Sequence, residues 1–78
     1  MQYILRDDTL GKNIRRVRML RKLTQAETVL KLQEYGVHMT RETLANIESG
    51  RRNIKARDLK ALKKVLDTEY EEFFKEGE

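Results

Sequence analysis

The chain has 78 residues, no cysteine, no proline and one histidine; 38% of it is charged and its net charge is +4. That length supports one domain spanning 1–78 that buries roughly 60–65% of its unfolded surface, with marginal stability that self-association would relieve. The composition excludes a disulfide framework, a thiolate metal site and a histidine cluster. No run is apolar enough for a signal peptide or a membrane span, so a cytoplasmic location is expected.

Charge is unevenly spread. Residues 1–22 carry seven Lys/Arg against two Asp, whereas the last twenty residues carry four Lys against six Asp/Glu. This points to a basic side for a polyanion and an acidic tail away from it, although solvated helix surfaces account for charge alone about as well.

Residues 1–7 form an N-terminal arm ahead of a core at about 8–75, with Gln2 to Arg6 either a short strand or an ordered arm. The first helix is expected from about Asp8 to Lys22, capped by Asp7 or Asp8, with Leu10, Ile14, Val17 and Leu20 on one face. The second opens at Thr24, whose spacing to Glu27 fits a capping box. Its apolar side is Ala26, Val29, Leu30 and Leu32, and Gly36 ends it by taking positive φ. His38 then reads as a turn residue, ahead of a ligand or pH-switch role. A third helix follows Thr40 as N-cap, with Leu44 and Ile47 as its buried seam, Ala45 beside them and Gly50 as its stop. The fourth covers about Ala56 to Leu66, with Leu59, Leu62, Val65 and Leu66 inward. Thr68 and Glu71 repeat the capping-box spacing before a short last helix, whose Tyr70, Phe73 and Phe74 close the core. The fold class is therefore all-α, a compact bundle of five short helices.

Two capped helices joined by a turn, the second followed by glycine and basic residues, is how a small protein offers a helix to the major groove. Arg41 lies in the first turn of the third helix, where the helix dipole repels a cation. The misfit is relieved if Arg41 meets a phosphate or pairs with guanine. Lys55, at the start of the fourth helix, repeats it. Thr40 and Thr43 offer short hydroxyls for phosphate, with Thr40 equally a cap. Arg51, Arg52 and Lys55 are placed to bind backbone, which carries affinity rather than sequence reading. Arg15 or Arg16 is a further backbone candidate. No catalytic constellation, glycine-rich phosphate loop or metal-ligand cluster is visible, so neither an enzyme nor a cofactor is expected.

Ile14–Arg18, Leu23-Thr24-Gln25, the run Arg41–Arg52 and Leu59–Leu66 with Tyr70–Phe74 together resemble the phage repressor and Cro-type (XRE-type) helix-turn-helix family. The resemblance spans about Leu10 to Phe74 and implies a lambda-repressor-like DNA-binding fold. It implies base contacts from Arg41, Glu42 and Asn46, where asparagine suits adenine and glutamate suits cytosine; Glu42 also simply favours its helix dipole. It implies a phosphate contact from Gln25 and a structural ion pair between Arg18 and Glu48. Two departures stand out. The stretch between Leu32 and Thr40 is about five residues longer than in common members, which a longer second helix with Val37 and Met39 plugging the core would absorb. Thr28 and Val29 replace the usual leucine and alanine. The implied function is a sequence-specific regulator of double-stranded DNA, a repressor acting as a homodimer. The alternative is a protein-interaction module or antitoxin-type partner using its acidic, aromatic tail.

Overall fold

The computed structural model describes residues 8–76. The 1–7 arm and the Asp7 or Asp8 cap lie outside the described residues or side chains. The order is α1 (Asp8–Leu20), α2 (Gln25–Leu32) extended by a 3-10 turn (Gln33–Tyr35), α3 (Arg41–Glu48), α4 (Ala56–Leu66) and α5 (Tyr70–Phe73). No strand occurs among the described residues, and no described helix is long and apolar enough to cross a membrane.

One cluster forms the core: Ile14 and Val17 of α1, Leu32, Val37, Leu44 and Ile47, then Ala61, Leu62 and Leu66 of α4 and Phe73 of α5. Leu10, Leu23, Val29, Met39, Ile54, Leu59 and Val65 pack around it. α1 lies against α3 and α5, while α2 lies against α3 and α4.

Three expectations about this core are corrected. Leu20 is 62% exposed. Arg21, a full turn beyond Val17, continues that face instead, and its guanidinium donates to the carbonyls of Leu66 at 2.6 Å and Asp67 at 2.8 Å. Leu30 is 64% exposed and Ala26 is exposed, because α2 turns Thr28 and Leu32 to the core. The buried Thr28 hydroxyl donates to the Thr24 carbonyl at 2.9 Å, so it costs no unsatisfied group. In α5 only Phe73 is buried; Tyr70 is 39% and Phe74 50% exposed.

The four longer helices end in the same way. In each, two backbone amides fold back in the paired pattern of a Schellman motif, around a residue with positive φ. Lys22 (φ 59°) ends α1, with Leu23 N–H on Arg18 and Lys22 N–H on Met19. Gly36 (φ 80°) ends α2 and its 3-10 extension, with Val37 N–H on Leu32 and Gly36 N–H on Gln33. The expected longer second helix is thus that extension, and it delivers Val37 into the core beside Leu32. Gly50 (φ 83°) ends α3 and Asp67 (φ 51°) ends α4. The α4 stop explains another correction. Thr68 N–H is committed to Lys63 at 3.2 Å, so Thr68 closes α4; the N-cap of α5 is Glu69, without a side-chain cap.

α5 hangs from α1. Asn13 Nδ2 donates to the carbonyls of Phe73 at 2.9 Å and Lys75 at 2.8 Å. Arg16 donates to the Glu72 carbonyl at 2.9 Å and to its carboxylate at 3.2 Å. Arg16 is thereby engaged with α5, while Arg15 is exposed.

Candidate nucleic-acid interface

α3 is held in place by three devices. Its start is fixed by Thr40, whose hydroxyl accepts from Thr43 N–H at 3.0 Å. Its end is fixed by Glu48, buried and gripped by Arg18 through Nε at 2.7 Å and Nη2 at 3.0 Å. Arg18 also donates to the Leu23 carbonyl at 2.7 Å, so the loop after α1 joins the same knot. The third device is steric. A Cβ on Gly11 would collide with the carbonyl oxygens of Ile47 and Glu48, so glycine lets α1 cross directly over the end of α3.

With Leu44, Ile47 and Glu48 turned inward, the helical period leaves Glu42, Ala45, Asn46 and Ser49 on the outward face. Arg41 flanks it on one side and Thr43 on the other. Arg41 is the first residue of α3 and is exposed. It shares a shallow cleft with Gln25, Glu42 and Ala45. Gln25 Nε2 donates to Glu48 Oε1 at 3.1 Å, tying the start of α2 to the end of α3; its second N–H is left for another acceptor.

On the other flank, a polar hollow runs between the first turns of α3 and α4. Thr40, Thr43, Arg52 and Lys55 line it, joined by His38 and Arg57. Lys55 is the N-cap of α4 and offers no side-chain cap, so a cation sits at the positive end of that helix dipole. Arg51 is exposed in the turn after α3. Among the described residues, Arg41, Arg51, Arg52 and Lys55 have no carboxylate partner. The Asn46 side chain likewise has no hydrogen-bond partner among them.

Thus four of the nine candidate contacts lie on α3, the other five flank or cap it, and the Arg18–Glu48 pair lies beneath it. The chain matches a helix-turn-helix family model over residues 14–73. It belongs to that family, in the repressor and Cro (XRE) type. No curated protein and no solved structure matches the chain.

As an XRE-type helix-turn-helix protein, it is a DNA-binding regulator. In this member of the family the segment between α2 and α3 is closed by the Gly36 motif rather than by a tight turn. Sequence reasoning passed over Ser49 on the outward face and Arg57 at the hollow. It set Ala45 beside the buried seam, whereas Ala45 is only half-buried and borders the outward face, and it read His38 as a turn residue without the hollow it lines. Ala45 had a readable signal: a small residue three positions after Glu42 leaves room beside the helix for a large partner.

Proposed function

We propose that the protein is a sequence-specific transcriptional repressor that inserts α3 into the major groove of double-stranded DNA. The observation that carries this reading is the set of cations around α3 that have no carboxylate partner among the described residues, two of them where helix dipoles repel them. Arg41, Glu42 and Asn46 contact base edges in this reading. Gln25, Thr40, Thr43, Arg51, Arg52 and Lys55 contact the backbone and supply affinity. The whole chain acts as one domain in the cytoplasm. It binds as a homodimer on a pseudo-palindromic operator with half-sites about 34 Å apart. The exposed Tyr70 at the start of α5 and Phe74 at its C-cap supply apolar surface for that dimer.

Selection from random duplexes at two salt concentrations tests this. One enriched, two-fold symmetric site is expected, with affinity falling by orders of magnitude between roughly 50 and 200 mM salt. Absence of enrichment would remove sequence-specific recognition, and an asymmetric site would remove the symmetric dimer.

The same two exposed aromatics favour a second reading, a protein-interaction or antitoxin-type module that binds its partner through α5. Negligible duplex affinity even at low salt is the outcome that would select it.

A further inference from the structure

The hollow between the first turns of α3 and α4 has a lining residue that the contacts proposed above leave unused. His38 stands at its rim, between the Gly36 stop and the Thr40 cap. Its ring is exposed and has no hydrogen-bond or ionic partner among the described residues. The groups sharing the hollow are Thr40 and Thr43 from α3, which bring no charge, Arg52 from the loop, and Lys55, Arg57 and Asp58 from α4. The Asp58 carboxylate lies 3.7 Å from Arg57 Nε, so three cations share the hollow with His38, and its one carboxylate already leans on one of them. An anion that enters the hollow meets these cations and the ring together.

We infer that His38 is a further ligand for a backbone phosphate of the bound duplex, and that it binds as the imidazolium, so that complex formation takes up a proton. The inference rests on the hollow being a DNA-backbone site. A neutral imidazole offers one N–H, whereas the protonated ring donates from both nitrogens and adds a charge. Because the complex favours the protonated ring, acidification raises duplex affinity. The gain levels off once the ring is protonated in both states. The chain has one histidine and no cysteine. The α-amino group is therefore the other group that ordinarily titrates near neutral pH.

The test is duplex affinity for the full chain and for His38→Gln at about pH 5.5 and about pH 7.5, on either side of the imidazole range. Each is followed over roughly 50–200 mM salt. The unaltered protein should bind about threefold to fivefold tighter at the lower pH, the range of one exposed ion pair. Its salt slope should steepen there by about 0.9, one additional neutralised phosphate. His38→Gln should show neither change. A pH response that survives in His38→Gln belongs to the α-amino group and overturns the inference, as does a slope that ignores pH. Loss of duplex binding by both proteins at both pH values would remove the DNA reading and this inference with it. The source of the phosphate is read from the His38 ring resonances. Duplex should shift them, and inorganic phosphate at equal ionic strength should not. An equal shift with inorganic phosphate would make the hollow a free-anion site and overturn the DNA assignment.

Discussion

Arg18 and Glu48 meet side-on, with both carboxylate oxygens of Glu48 taken by Nε and Nη2 of one guanidinium at 2.7 and 3.0 Å. Gln25 adds a third donor at 3.1 Å, so α1, α2 and α3 converge on one buried carboxylate. Such a pair specifies helix orientation more than it adds net stability, because desolvation offsets the attraction. Removing one member is another matter. Glu48→Ala should lower the free energy of unfolding by about 3 kcal/mol, since Arg18 keeps a buried charge. The double change Arg18→Met with Glu48→Leu should lose much less. Urea denaturation of the three proteins checks this; a loss below about 1 kcal/mol in Glu48→Ala would show that Arg18 escapes to water.

Gly11→Ala should destabilise the protein by about 1–3 kcal/mol, although alanine is about 1 kcal/mol the better helix former. The reason is the collision of the new methyl with the Ile47 and Glu48 carbonyls. Thermal melts decide between the two effects, and a stabilised variant would mean that α1 can back away from α3 freely.

Lys22 and Asp67 hold left-handed backbone at φ 59° and 51°. A side chain there costs roughly 1–2 kcal/mol, partly offset by the greater freedom of glycine in the unfolded chain. Lys22→Gly should therefore raise stability by about 0.5–1 kcal/mol. Asp67→Gly should gain less, since aspartate tolerates this region better. Denaturant midpoints at constant m-value give the comparison, and a loss for Lys22→Gly would contradict the backbone argument.

Arg41→Ala should weaken binding to a selected operator and relax discrimination at one base pair by about 1–3 kcal/mol, without lowering the melting temperature. Lys55→Ala should act differently, weakening all duplexes alike and reducing the salt slope by about 0.9. Binding titrations on matched and mismatched duplexes separate these roles. Unchanged operator affinity would take Arg41 off the interface.

Hydrogen bonds from Arg16 and Lys75 hold the Glu72 carboxylate below its ordinary value of 4.5. A carboxylate lowered in the folded state contributes stability that is fully present above that ordinary value. The contribution fades as pH falls through the lower folded one. Glu72→Gln should therefore be less stable than the unaltered protein at about pH 6, with the difference shrinking on acidification toward about pH 3. A difference that stays constant over that range would place the effect in packing instead of charge.

The helices were legible in the sequence wherever a cap wrote itself in residue types. Thr24 with Glu27, Thr40, Gly36 and Gly50 all stand where their chemistry placed them. The Arg18–Glu48 pair was legible only through the family resemblance, since the two stand 30 positions apart. What failed did so for lack of tertiary information. Leu20 and Leu30 have helical spacing, but periodicity does not reveal that no neighbour covers them. Thr68 looks like an N-cap and serves as the end of the preceding helix, because a single backbone amide cannot do both. Asn13 went unread, although a poor helix former beside Ile14 is a sign of a side chain with another duty.

The attachment of α5 to α1 also sets a timetable. Asn13 and Arg16 in α1 hold the backbone of residues 72, 73 and 75, so their contacts close loops of 56 to 62 positions. During synthesis the ribosome exposes Ile14 and Val17 long before Phe73 leaves the exit tunnel to cover them. Truncated products lacking Phe73 emerge with that greasy surface bare, which makes them natural clients for chaperones and proteases.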